Sequence, residues 1–203
     1  MIRYIILFVY FYTLSSGLPD FSTLGALKSS QQKIEYDRIV WSSTVKLTWQ
    51  DFLGKPDTSS RYKAMTYTKV RLINEKLDDK IILNFPATFN RSLSWVKDTK
   101  SISLLKHEQI HFDIAELAAR KLRKDCSKHV SYDLSSSYKF IQSTYDYYSI
   151  NYKDSIDDFY DLETNHGMLK SKQKEWEDKI AKELKDLEWY ADTKVTIERV
   201  KPK

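Results

Sequence analysis

Leu104 to Leu122 reads LLKHEQIHFDIAELAARKL. Leu104, His107, His111, Ile114 with Ala115, Ala118 and Leu122 recur at steps of three and four, the period of an amphipathic helix. Ser101 stands where a cap belongs, because its hydroxyl can accept from an N–H that the first turn leaves unpaired. A helix turns about 100° per residue, so residues four apart lie one above the other. His107 and His111 can therefore reach a single ion. Without a ligand, two imidazoles on an inward-facing stripe would be costly to bury.

The chain around this helix divides in two. Upstream the period is two: Val45-Lys-Leu-Thr-Trp49 and Ala64 to Leu72 alternate, and Lys80-Ile-Ile-Leu-Asn-Phe85 is β-rich and stopped by Pro86. Gly54-Lys-Pro56 and Leu77-Asp-Asp79 are turn material. Downstream, a second helix over about 135–165 carries Tyr138, Ile141, Tyr145, Tyr148, Tyr152, Ile156 and Phe159 on its inner face, and Gly167 stands at its end. A third, over about 169–189, carries Leu169, Gln173, Trp176, Ile180, Leu184 and Leu187, and Lys194 to Val200 can rejoin the sheet. Strands first and helices afterwards predict an α+β fold: a small antiparallel or mixed sheet, a central helix and two further helices.

The run His107-Glu108-Gln109-Ile110-His111 adds a carboxylate beside the two imidazoles. In a zinc site of this pattern the histidines hold the ion and the glutamate holds water. Zinc lowers the pKa of its water toward about 7, so Glu108 can take the proton and return it to a leaving amine. The expected cofactor is one Zn2+ per chain.

Such a site needs a third protein donor and an open fourth position. Asp113 and Glu116 are out of phase with the histidine pair, no glycine turns the helix after His111, and His129 in Ser127-Lys-His129 reads as surface. Tyr160-Asp-Leu-Glu-Thr-Asn-His-Gly167 remains. His166 is the expected third ligand and Glu163 its alternative, the one left over polarising a substrate carbonyl or supporting the ligands. Asp161 is expected to accept an imidazole N–H, or else to be a solvated helix acid.

The sequence resembles the domain-of-unknown-function 922 family, bacterial secreted proteins described as zinc-dependent proteases. The likeness spans roughly residues 40–190. It rests on Trp49-Gln-Asp-Phe52 with Gly54-Lys-Pro56, Ala64-Met-Thr66, His107 to Glu116, Tyr160 to Gly167 and Gln173-Lys-Glu-Trp176. It implies a zincin-like fold, a zinc ion and peptide-bond hydrolysis, with His107, Glu108 and His111 in their zincin roles and the Glu163–His166 segment as the source of the third ligand. The Gln173 and Trp176 pair is expected to pack the third helix. A strand edge at Ala64–Leu72 or Lys80–Phe85 would align a peptide or protein substrate beside the metal.

Two other functions fit parts of the sequence. Glu108-x-x-His111 and Glu163-x-x-His166 are each half of a di-iron carboxylate motif, but the further helices of that bundle are missing. A non-catalytic exported module with a zinc site is the other.

Composition bounds the rest. The 203 residues suffice for one domain with a full core, expected over 34–203. The net charge of +5 arises from interleaved lysines and acids, which describes a solvated surface and gives no nucleic-acid partner. Met1-Ile-Arg3, the apolar run Tyr4–Leu14 and Ser15-Ser-Gly17 have the layout of a signal peptide over 1–17, followed by a polar linker over 18–33. The expectation is a secreted or periplasmic protein without stable membrane insertion, or one tethered by an uncleaved N-terminal segment. The single cysteine, Cys126, leaves no internal disulfide, and oligomeric state is not legible.

Overall fold

The computed structural model describes residues 37–77 and 79–200. The expected signal peptide and linker lie outside the described residues. The strands are β1 (Arg38–Val40), β2 (Ala64–Met65), β3 (Thr68–Val70), β4 (Ile73–Lys76), β5 (Lys80–Asn84), β6 (Ala87–Asn90), β7 (Trp95–Val96) and β8 (Lys194–Glu198). They form three small antiparallel sheets in the orders β1-β6-β3, β2-β7 and β4-β5-β8.

Two of these sheets are halves of one surface. β5 runs into β6 through Phe85 and Pro86, and proline has no N–H to continue a ladder. Hydrogen bonds carry across the break: Arg71 N to Pro86 O (2.9 Å), Phe85 N to Thr193 O (2.8 Å) and Trp41 N to Ala87 O (2.9 Å). Alternation in β5 buries Ile81 and Leu83 completely. β8 returns from the C-terminal end as expected, pairing Leu83 with Val195 and Ile81 with Ile197.

The strand expected at Val45–Trp49 does not form. The Thr48 N–H and hydroxyl both donate to Asp51 Oδ2 (2.8 Å each), a local bond that competes with a ladder and closes a single 3-10 turn over Trp49–Asp51. Leu47 and Phe52 are buried all the same, packed with Phe89 and Phe112. The strand expected over Ala64–Leu72 is broken in two. Tyr67 N donates to Ser94 Oγ (2.9 Å) at the break, sending β2 to β7 and β3 to β6.

The helices are α1 (Ile102–Ser127), α2 (Leu134–Asp146), α3 (Lys153–Thr164) and α4 (Lys170–Asp186). Ser101 caps α1 as expected, its Oγ accepting from Leu104 N (3.1 Å). α2 and α3 are one continuous run joined by a π-helical segment, Tyr147–Tyr152. A π turn holds an extra residue, so everything after it is rotated relative to a regular helix. The inner stripe read from the sequence therefore holds for Ile141 but slips at Phe159, which is 53% exposed, while Tyr160 is completely buried.

α1 lies at the centre. Ala115, Ala118, Ala119, Leu122 and Cys126 meet the sheet residues Val70, Ile81, Leu83 and Phe85, the alanines allowing close approach. Ile110, Ile114 and Leu117 meet Tyr160, Trp176 and Ile180 of α3 and α4. Each large apolar side chain so buried contributes about 1.5–3 kcal/mol. Between the two clusters, Glu116 pairs with Arg120 (2.9 Å) and Arg123 (2.9 Å) in the interior. Arg123 also donates to Phe85 O (2.9 Å) and Tyr190 O (2.7 Å), tying α1 to the sheet and to the 3-10 turn Glu188–Tyr190. Among the described residues no helix is long and apolar enough to cross a membrane.

Candidate metal centre

His107 and His111 sit one turn apart near the start of α1, their ring centroids 4.9 Å apart and their planes perpendicular. Their Nε2 atoms are separated by 3.3 Å. Asp161 of α3 places Oδ1 3.0 Å from His107 Nε2 and 3.2 Å from His111 Nε2. These three donors form a compact triangle. Ligands about 2.0–2.1 Å from a tetrahedral ion stand about 3.3–3.4 Å apart, so a small ion fits this group with shifts of a few tenths of an ångström.

The far side of each ring is fixed. His107 Nδ1 lies 3.2 Å from Gln173 Oε1, an acceptor identified because the Nε2 of the same amide donates to the Glu177 carboxylate (3.2 Å); the Tyr160 hydroxyl donates to Gln173 Oε1 as well (2.7 Å). His111 Nδ1 lies 2.9 Å from Asp157 Oδ1, and a carboxylate can only accept. Both rings thus carry a proton on Nδ1 and turn Nε2 toward Asp161, the arrangement that orients imidazole ligands. Tyr160 stacks on His107 with centroids 4.6 Å apart, and its Oη is also 3.3 Å from His107 O.

Without a cation the triangle holds a proton. Burial opposes charge on His111, but hydrogen bonds to Asp157 and Asp161 outweigh it and push its pKa up to about 10. Asp157 and Asp161 are held below the usual carboxylate range: burial alone would raise both, and their imidazole partners reverse it. Lys153 reinforces this from Asp157 Oδ2 (2.9 Å).

The residue that completes a group able to hold a metal ion is Asp161; His166, which the sequence points to, and its alternative Glu163 lie outside that group. The π segment is the reason. It turns Asp157, Tyr160 and Asp161 toward α1 and carries Glu163 out of phase, to an exposed position where Oε2 accepts from Trp176 Nε1 (2.8 Å). The paired Glu-x-x-His motifs of a di-iron site accordingly do not converge. His166 stands one step out, its Nδ1 3.3 Å from Asp161 Oδ2 and its ring against Tyr62. His129 stacks on Phe140 and takes no part.

Asn165 (φ 47°), His166 (φ 52°) and Gly167 (φ 76°) are consecutive left-handed residues. Such backbone is uncommon outside glycine and clusters at functional sites. Here it folds the chain back so that Gly167 lies against His107.

Compared with family models, curated proteins and solved structures, the chain matches none. The family resemblance therefore rests on the quoted motifs alone. The geometry adds residues that sequence reasoning missed: Asp157, which orients His111, and Gln173, which is buried at His107 and does more than pack a helix. A signal for the first was present. Asp157 and Asp161 are four apart on one helix, matching two histidines four apart on another.

The donors open into a cavity of about 720 Å³ bounded by residues 61–66, the start of α1 and residues 165–168. Glu108 lines it beside the histidines. It is only 4% exposed, and no hydrogen bond joins its carboxylate to a described residue. Its oxygens are not among the described side-chain atoms that are both fully buried and unpaired, so they face the open cavity, where an incoming molecule can meet them.

Proposed function

We propose that the chain is a metal-dependent hydrolase of zincin-like type that cleaves peptide bonds. His107, His111 and Asp161 would hold one Zn2+. The observation that carries this reading is the three-donor triangle beside the unpartnered carboxylate of Glu108 in a single cavity. A zinc ion there supplies Lewis acidity, which makes water easier to deprotonate and a carbonyl easier to attack. Two imidazoles and a carboxylate also suit ferrous iron, but a base at the helix position next to the first histidine favours hydrolysis.

In this reading Glu108 accepts the proton of the attacking water and later returns it to the leaving amine nitrogen. Asp157 and Gln173 keep the imidazoles oriented throughout, and burial of His107 and Glu108 keeps bulk water from competing for them. The neighbouring β2, an edge strand of its two-stranded sheet, bounds the cavity where an extended peptide would lie. An exported location, secreted or periplasmic, agrees with the N-terminal sequence and is part of the same proposal.

Glu108→Gln tests it. The variant should bind one zinc per chain as tightly as the wild type and lose casein and peptide-library hydrolysis. Equal hydrolysis by both proteins, or one bound iron and no bound zinc, would overturn the assignment.

A further inference from the structure

A second concavity lies on the outer face of the β1-β6-β3 sheet. Arg38 is paired with Asn90 and Lys69 with Thr88, and partners across a ladder point to the same face. Alternation places Arg71 with them, while Ile39, Phe89 and Val70 turn to the interior. The resulting cavity, of about 320 Å³, is lined by Arg38, Lys69 and Arg71 together with Tyr67, Thr88, Asn90, Leu72, Leu93 and Tyr145. It shares no lining residue with the metal centre.

Three cations line this cavity and no acid does. Among the described residues none of the three forms an ion pair, although eight other lysines and arginines do. Like charges gathered on one sheet face repel one another, and an arginine partly withdrawn from water gains from an anion within its reach. Burial, and next the Arg38 charge, hold the Arg71 guanidinium below its usual range, so these two guanidinium groups feel one another. Thr88 and Asn90 supply a polar floor.

We propose that Arg38, Lys69 and Arg71 form a binding site for a phosphoryl-type oxyanion. A charge of +3 exceeds what one carboxylate neutralises and matches a multiply charged group. The two guanidinium forks suit its tetrahedral oxygens, each offering paired N–H donors. The site is independent of the hydrolase reading and would survive its failure.

The test uses the full chain, the double variant Arg38→Gln/Arg71→Gln and, as a control, Lys100→Gln at an exposed position outside this face. Inorganic phosphate is titrated by calorimetry at low salt, and sedimentation is measured with phosphatidylcholine vesicles with and without phosphatidic acid. If the oxyanion is a free phosphoryl compound, inorganic phosphate saturates the wild type. If it is a lipid headgroup, the wild type sediments only with the phosphatidic acid vesicles. In either arm the double variant should bind about tenfold or more weakly, since charge-assisted hydrogen bonds are lost, and the control should match the wild type. Equal binding by the wild type and the double variant, or no wild-type response in both arms, overturns the proposal.

Discussion

The backbone of Gly167 runs so close to His107 that a Cβ placed on it would stand 2.9 Å from the imidazole Cγ. Gly167 also has φ of 76°, where an L side chain is strained. Gly167→Ala should therefore cost about 2–4 kcal/mol, the left-handed penalty plus the overlap with His107. Urea unfolding measures the first loss and zinc competition the accompanying shift of the ring. Wild-type values in both would show that the contact is slack.

The three acid and imidazole candidates of residues 161–166 should separate in metal affinity. Asp161→Asn removes a charged donor from the triangle and should nearly abolish zinc binding. His166→Ala frees Asp161 Oδ2, and loss of such a supporting bond costs about 10–100-fold. Glu163→Ala should leave zinc affinity unchanged and remove only the Trp176 hydrogen bond, worth about 1 kcal/mol of stability. A chelator competition series on the three proteins reads the order directly; zinc lost most in Glu163→Ala would refute the assignment.

Proton and metal compete for the same triangle. The folded pKa of His111, about 10, lies above its ordinary 6.5. In the metal-free protein that interaction stabilises fully below about pH 6.5 and is lost as pH rises toward about 10. Asp157 and Asp161 lie below their ordinary 3.8, so their contribution is present above that value and lost as pH falls through their lowered values. Metal-free stability should peak between about pH 4 and 6.5, and apparent zinc affinity should rise by up to about tenfold per pH unit above it. Thermal melts across pH and potentiometric proton release on zinc addition check both; pH-independent affinity would contradict it.

Arg123 is completely buried and satisfies Glu116 together with the carbonyls of Phe85 and Tyr190. Arg123→Met leaves the buried Glu116 with Arg120 alone and takes the side-chain donor from the carbonyls of Phe85 and Tyr190, and breaking a buried pair in this way costs about 3–5 kcal/mol. The triple variant Arg123→Met/Glu116→Leu/Arg120→Met should recover a large part of this, because no charge is then stranded. Denaturant midpoints of the two proteins measure the difference.

Cys126 is buried, and burial followed by the Asp125 charge pushes its thiol up to about 12. A thiol rather than thiolate reacts poorly. Labelling by a disulfide reagent near neutral pH should be undetectable in the native protein and complete in urea. Rapid native labelling would show that α1 frays at its C-terminal end.

The elements most open to reading were those with a single strong period. α1, its Ser101 cap and the paired face of His107 and His111 follow from side-chain spacing, β5 follows from a β-rich run stopped by Pro86, and β8 from a strand-like piece that can rejoin the sheet. Val45–Trp49 misled because the Thr48–Asp51 bonds override an alternating pattern that also suits a strand. Asp161 was visible only as an outer acceptor. Extending a regular 3.6-residue stripe through residues 147–152 puts Phe159 and Glu163 inside, and nothing in the residue types there announces the extra residue. The oxyanion cluster was equally hidden, since Arg38 and Lys69 are 31 positions apart in sequence and meet only through strand pairing.

The wide turn at Tyr147–Tyr152 has a consequence for how this protein can change. Winding that turn regularly with the same number of residues would swing Asp157 and Asp161 away from α1 by about 100°. Phe159 would take the inward place, while the tyrosines that face the sheet stayed where they are. Half of the centre would vanish although every ligand type remained in the chain. Its acidic half is thus set by winding and chain length together, and removal of one residue would let the turn wind regularly with Asp157 and Asp161 still facing α1.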